Sequence, residues 1–541
     1  MKKYLLIIIL LLAAVLRFYK LDSYPALNAD EAAIGYNAYS LIQTGKDEHG
    51  NPWPVHFQSF GDYKPGLYFY LVLPFVKVLG LNELAVRIPG ATLGVLTVLV
   101  VYLLVGELFK GKYLALIASF LLAISPWHLH FSRGGWEVNA STFFITAGIW
   151  LFVKYINSKS FKYLAFSILH FALSLYTYHA ARIVVPLLGL GFLVIYWKEI
   201  FRKENIKSLV LSLLLVVLLL FPLAKDLIGP AGISRVAGVG LFADPGPLNR
   251  INEQRGEHAD FKGVIPRIFH NKAVNYGLAF LQNWASHFHG EFLFLSGDAI
   301  QRNKVPETGQ LYLFEILTIA IGLIMLIKNL DKSAKVIFLW LIVAPVASAL
   351  TFQSPHALRA HNMVIPLVII SVIGLQKIFN WLSARKRYGQ AFVGGLIIVI
   401  AWFFARYIHM YWIHMAKEYP FSSQYGLKEL VSYVKENQDK YQKIWITDKY
   451  DQPYVLFLFY LKYPPQDFQN NHVLTARDKF GFSTVRDFDK FHFEAVKFDK
   501  IRPENPNSLI VGAVEEIPQE ANIVKEIYGT NDFKYFRIVV N

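Results

Sequence analysis

Cysteine is absent from the sequence, which excludes disulfides, thiolate metal sites and cysteine nucleophiles together. Charge is scarce: 17% of the 541 residues are charged against 54% hydrophobic, a balance too apolar for an ordinary soluble enzyme and expected where the bilayer is the main solvent. The opening MKKYLLIIILLLAAVLRFYKLD has the basic start and apolar centre of a signal peptide. No small-x-small cleavage site follows before Arg17 and Lys20, however, so it reads as an uncleaved first span. Internal repeats and low-complexity segments are also missing from the sequence. The formal net charge is +15, but many of its Lys and Arg fall in short joins between apolar runs, where the positive-inside rule places them, so no nucleic-acid partner is expected.

Apolar runs long enough to cross a bilayer, at roughly 20 residues each, are what the chain has in abundance. They lie near 4–20, 84–109, 113–131, 139–156, 161–178, 181–198, 208–225, 311–328, 335–352, 362–380 and 391–412, eleven in all. With the amino terminus in the cytoplasm, the basic joins at 110–112, 154–162, 198–207, 328–335 and 377–389 share the inner side. Outside are then a first loop at 21–83, turns at 125–139, 176–182 and 352–361, a long loop at 226–310, and the tail. Within the first loop, EAAIGYNAYSLIQTG and PGLYFYLVLPFVKVLG show helical spacing but are short, and read as helices lying in the interface. From about Phe421 the chain turns polar: GLKELVSYVKENQDKY reads as an amphipathic helix, and KIWITD, YVLFLFYL, NSLIVGAV and FKYFRIVVN read as strands. The expected fold is mainly α, a multispan helical membrane protein over 1–412 with about eleven transmembrane helices. A small extracytoplasmic α/β domain is expected over 421–541.

The unusual residues gather in the outer segments. Asp30 and Glu31 follow directly on the first span, where a carboxylate is costly and so marks a site. Capping of the next helix by Asn28 or Asp30, with Glu31 in its first turn, is the competing account, and one carboxylate can do both. In FGDYKPGLYFY, Asp62 and Lys64 precede a helix, and a lysine there suits a phosphate, though snorkelling explains a lone Lys. SPWHLHFSRGGWEVNAS gathers His128, His130, Arg133 and Glu137, a second acid beside an Arg. The two-residue spacing of the histidines suits a strand, and the ligand set for a metal is incomplete. YTYHAAR and PHALRA each place a His and an Arg at the outer end of a span, His179 with Arg182 and His356 with Arg359, where Arg can grip a phosphate in bidentate fashion. Asp298, Arg302 and Gly309 form a polar loop before the eighth span; composition alone assigns it no chemistry.

Taken in order, the acidic pair, KP-x-LY-x-Y, RIPGATLG, FSR-x-x-x-E, YTYHAAR, SGD…R…P…G-x-L-Y and PHALRA resemble the polyprenyl-phosphate-dependent glycosyltransferases of the GT-C class, which includes the protein O-mannosyltransferases and the aminoarabinose lipid A transferases. The resemblance spans residues 1–412. It implies the GT-C fold and an inverting transfer of a sugar from a polyprenyl phosphate to a protein, lipid or glycan acceptor at the outer face of the cytoplasmic membrane. Asp30 then matches the family's general base, Glu31 its acidic neighbour, and Glu137 an acid that positions the acceptor, where Asp is commoner. Lys64, Arg182 and Arg359 match cations near the donor phosphate, with Asp62, Arg133, His179, His356, Asp298 and Arg302 as accessory positions. Some relatives carry an acid directly before the Lys; here Tyr63 stands there, which argues against a metal at that point and leaves a divalent metal elsewhere open. A flippase or transporter would also line up charges, but would show paired repeats and polar midplane residues. A catalytically inactive scaffold would have no need of acids and cations at every matching position.

Overall fold

The computed structural model describes residues 2–229, 232, 240–385, 388–422, 424–476 and 483–541. Lys386 and Arg387 of the last basic join and residues 230, 231 and 233–239 of the long outer loop lie outside them. In chain order the first part comprises α1 (Lys2–Phe18), α2 (Ala29–Thr44), β1 (His56–Ser59), β2 (Asp62–Pro65), α3 (Leu67–Leu79), α4 (Glu83–Phe109), α5 (Lys112–Ile124), α6 (Pro126–Phe131) and α7 (Glu137–Ser158). The protein is mainly helical, and each of the eleven apolar runs lies on helix. Among the described residues, five helices are long and apolar enough to cross a membrane: α4, Lys203–Leu227, Lys332–Ala349, His361–Ser383 and Gly389–Glu418. Shorter apolar helices include α3, α5, Phe161–Leu175 and Ala181–Ile195.

The chain forms two compact units. The first comprises Met1–Arg17, Thr92–Ser132 and Glu137–Tyr407; the second comprises Phe18–Ala91, Arg133–Trp136 and Ile408–Asn541. In the first unit, helices Glu315–Lys328 and Val364–Ser383 pack at close range, because Gly322 and Gly374 lie where their backbones meet. A Cβ on Gly374 would overlap the Thr318 carbonyl, and one on Gly322 the Ile370 carbonyl. Thr318 and Ser371 hydroxyls join the same seam at 2.7 Å. Small residues that let backbones approach are how helices associate where lipid removes the hydrophobic drive.

The second unit carries a seven-stranded mixed sheet in the order β4-β5-β6-β3-β7-β9-β8, with β3 Lys443–Ile446, β4 Val473–Leu474, β5 Val485–Phe488, β6 Phe491–Phe493, β7 Ser508–Ala513, β8 Ile523–Tyr528 and β9 Lys534–Val540. Three of the four expected strands are present. YVLFLFYL is instead a helix, Pro453–Leu461, buried from Pro453 to Phe459. A run that is apolar on every side has no period to distinguish strand from helix, and Pro453 at the first helical position starts the turn. Topology requires it too: β3 pairs parallel to both β6 and β7, and parallel neighbours need a crossover.

One local expectation is also corrected. His128 and His130 lie on α6, a single helical segment begun by Pro126, and not on a strand. EAAIGYNAYSLIQTG is a helix as expected, and Ala29, Glu31 to Ala38, Ser40 and Leu41 of α2 are all buried. Its small residues let neighbours in close, and a Cβ on Gly35 would come within 2.6 Å of Phe459 and 2.8 Å of Val86. Gly45 ends the helix in the left-handed region, φ 71°, with its N–H on the Leu41 carbonyl.

The glycine seam gives a test. Gly374→Val forces the two backbones apart and should destabilise the protein by about 3 kcal/mol, the upper range for overpacking, seen as a lower melting temperature in detergent. An unchanged melting temperature would show that the seam is loosely packed.

Candidate active site

The acidic pair divides at the start of α2. Asn28 is the N-cap: its side chain accepts the Glu31 N–H, and Glu31 Oε2 receives the Asn28 N–H in return, a capping box. Glu31 is then consumed by Arg87 of α4. Arg87 Nε donates to Oε1 at 2.7 Å and Nη2 to Oε2 at 2.8 Å, and the Gly135 N–H adds a bond to Oε1 at 2.8 Å. The remaining Arg87 bonds go to the carbonyls of Leu21, Pro25 and Ala26. Glu31 is 1% exposed and Arg87 0%.

Asp30 faces another way. Its side chain is 25% exposed, and its Oδ1 lies 2.5 Å from the Nζ of Lys64, itself 14% exposed. Lys64 precedes α3, as expected, and lies on β2, which pairs antiparallel with β1 in the register Phe57↔Lys64 and Ser59↔Asp62. Its ammonium also lies 4.9 Å from the centre of the Phe60 ring. Asp62, on the same strand, is buried and accepts the Tyr63 N–H at 2.8 Å. Arg133 is held by an aromatic group: Nε donates to the Tyr411 hydroxyl at 3.0 Å, and the guanidinium lies over the Tyr411 and Trp412 rings.

The carboxy-terminal part of this unit fastens α2. Gln424 accepts the Ala29 N–H at 2.6 Å and donates to the Tyr450 and Asp451 carbonyls. Gln469 donates to Ser40, Thr44 and the Asp47 carbonyl at the other end of the helix. The segment bearing Asp30 is thus tied at both ends.

The other expected residues belong to the first unit. Glu137 opens α7 and is 9% exposed. His130 Nε2 donates to the Arg302 carbonyl at 2.9 Å, while His128 Nδ1 meets Arg17 Nη2 at 2.8 Å. Arg182 Nη1 lies 3.2 Å from His179 Nδ1. Asp298 is a buried pivot: its carboxylate accepts the N–H groups of Ala357 at 2.6 Å and Ile300 at 2.8 Å and the Asn303 amide at 3.0 Å, with His356 Nδ1 3.6 Å away. Burial still pushes its carboxyl up from the usual range. Behind it, burial lowers His287 to about 4; its neutral ring donates from Nδ1 to the Asn283 carbonyl, and its Nε2 accepts the His356 N–H. Arg359 donates to the Thr351 hydroxyl at 2.6 Å and to Gln353. Two residues that matter here were not singled out from sequence: Arg87, signalled by being an Arg inside an apolar run, and Glu48, one acid in a loop that looked merely polar. No group of three or more potential metal ligands occurs among the described residues.

Residues 63–223 match the family described as dolichyl-phosphate-mannose-protein mannosyltransferase. Over 98% of this chain and 97% of its own, ArnT from Cupriavidus metallidurans in the apo state superposes with a TM-score of 0.58 at 11% identity. The same protein bound to undecaprenyl phosphate gives 0.56. The fold is that of the GT-C glycosyltransferases. An archaeal oligosaccharyltransferase, AglB from Archaeoglobus fulgidus, in complex with an inhibitory peptide and a dolichol-phosphate, matches at a TM-score of 0.52 and 15% identity over 85% of this chain and 63% of its own. An uncharacterised protein of Aquifex aeolicus is 28% identical over 186 residues, 34% of this chain and 36% of that one. Within the GT-C frame, the family match takes in Lys64, Arg87, Arg133, Glu137 and Arg182, while Asp30 and Arg359 fall outside it.

Removing one partner of a buried ion pair strands the other charge. Arg87→Ala should therefore cost about 3–5 kcal/mol, and Arg87→Lys should rescue little, because one ammonium cannot reproduce the fork. Thermal unfolding in detergent checks both; a loss below about 1 kcal/mol would show that Glu31 has another way to be satisfied.

Proposed function

We propose that the protein is an inverting membrane glycosyltransferase. It would move a sugar from a polyprenyl phosphate to a hydroxyl-bearing acceptor at the outer face of the cytoplasmic membrane. The observation that carries this reading is the Asp30–Lys64 pair, a carboxylate and a cation in contact yet both partly open, beside a Glu31 that is closed. Binding of undecaprenyl phosphate by ArnT and of dolichol-phosphate by AglB supports the lipid-phosphate donor.

In this reading Asp30 takes the acceptor's hydroxyl proton as the oxygen attacks the anomeric carbon. The carbon–oxygen bond to phosphate breaks on the opposite face, and polyprenyl phosphate leaves with the electron pair. The resemblance assigns phosphate stabilisation to Lys64, Arg182 and Arg359 and acceptor positioning to Glu137. Glu31 acts through α2 and not on substrate. A cation in contact makes a carboxylate a weaker base, so an arriving phosphate that draws Lys64 toward itself would raise the basicity of Asp30 when donor is present. Arg133, Asp62, His179, His356, Asp298 and Arg302 shape the surroundings. The architecture that goes with this has eleven spans, an inner amino terminus and the 421–541 region outside.

Asp30→Asn keeps the size and hydrogen bonding but removes the base. It should fold, bind polyprenyl phosphate, and lose transfer by roughly 10²–10⁴-fold when membranes are supplied with labelled polyprenyl-phosphate sugars. Near-normal turnover would refute the role. A flippase would release no polyprenyl phosphate in detergent, so the same assay separates the two activities.

Orientation is checked independently with reporter fusions after Gly389 and Asn541, which should report the cytoplasm and the outside respectively. If both report one side, the outer-face assignment fails.

A further inference from the structure

Glu48 lies in the turn between α2 and β1, fully buried, and beyond the Asn37 side chain its carboxyl oxygens meet no hydrogen-bond donor. Its backbone N–H donates to Asn37 Oδ1 at 2.9 Å. Asn37 is seven residues after Asp30 on α2, hence on the same face of the helix. Lys64 touches Asp30, and its charge also acts, more weakly, on Glu48.

The charged and titratable groups around Glu48 leave Lys64 as its cation. In its own turn, Asp47 accepts bonds from the His49 N–H and from the Asn51 N–H and side chain. His49 Nε2 is 3.7 Å from Glu48 Oε1, but burial and His472 bring that imidazole down to about 3, so it is neutral. Tyr36 of α2 and Tyr454 of the helix Pro453–Leu461 also face Glu48, and burial pushes both phenols up, so they are neutral as well. Burial and then Asp47 raise Glu48 to about 8, with the Asn37 side chain and then Lys64 only partly offsetting them. A buried carboxyl with no cation in contact is far cheaper to keep protonated than charged.

We propose that Glu48 is a positioning residue that holds a proton at neutral pH and so leaves Lys64 to Asp30 and the donor phosphate. This rests on the glycosyltransferase reading. When Glu48 releases its proton to solvent, a second carboxylate competes for Lys64, and its charge repels the phosphate. Donor binding then weakens above about pH 8.

Two measurements test this on the full-length protein in detergent. The first is the affinity for undecaprenyl phosphate at pH 7.5 and 9.5. In the wild type it should fall about tenfold, a change that one nearby charge can produce, and in Glu48→Gln it should stay within about twofold, well inside that range. Parallel profiles overturn the proposal and leave the glycosyltransferase reading standing; no binding at any pH overturns both. The second is stability. Glu48 is raised above its ordinary value of 4.5, so between pH 4.5 and about 8 the folded chain holds a proton that the unfolded chain has lost. Stability must therefore fall as pH rises through that window. The wild-type melting temperature should drop from pH 5 to 8 relative to Glu48→Gln, and equal slopes overturn the proposal. Should the variant not fold, infrared difference spectra of the wild type decide: a protonated-carboxyl stretch must be lost with its midpoint near pH 8, and the absence of such a component overturns the proposal.

Discussion

The second unit depends on one buried ion pair. Glu31 and Arg87 join the start of α2 to the start of α4, and the spare donors of Arg87 collect the carbonyls of Leu21, Pro25 and Ala26, while Glu31 adds the Gly135 N–H. Three stretches of chain distant in sequence, 21–31, the start of α4 and the turn at Gly135, therefore meet at two side chains. Burying such a pair gains little net stability over an apolar pair; what it supplies is a fixed geometry, because a planar fork against a carboxylate admits one orientation.

That geometry explains why two adjacent acids behave differently. Successive residues on a helix point about 100° apart, so once Glu31 is fixed inward, Asp30 must turn away from it. The contrast in exposure, 1% for Glu31 against 25% for Asp30, follows from that rotation. The β1–β2 hairpin then brings Lys64 to Asp30, and Gln424 and Gln469 hold the helix by its ends. A reactive carboxylate needs this support, since a base displaced by about 1 Å loses much of its effect.

The mainly helical fold was legible because long apolar runs favour helix, and the three strands KIWI, SLIVGA and KYFRIVV were legible because they are short β-rich runs between turns. YVLFLFYL was not, because a uniformly apolar run lacks a period. The candidate residues were chosen as charged types between apolar runs, and their partners were not legible. Nothing local announces that Glu31 is spoken for by Arg87, fifty-six positions on, or that Lys64 sits on a strand facing Asp30. Composition gave Asp298 only loop polarity and the resemblance only an accessory place, yet it ties the SGD loop to the Ala357 backbone; a turn-forming acid and a pinning acid look alike until the fold closes.

The charged residues thus sort by how completely their hydrogen-bonding capacity is used. Glu31, Arg87 and Asp298 are buried and met by several donors or acceptors each, and such groups resist change because every bond would have to be remade together. Asp30 and Lys64 meet one another at a partly open surface, where water or a substrate can replace either partner at small cost. Glu48 fits neither class: it is as buried as the first, yet the Asn37 side chain is the one donor near its carboxyl and no cation touches it. A group in that condition has one inexpensive state, the protonated one. Its position in the same unit as the Asp30–Lys64 pair makes its proton part of the electrostatics by which that pair would meet a phosphate.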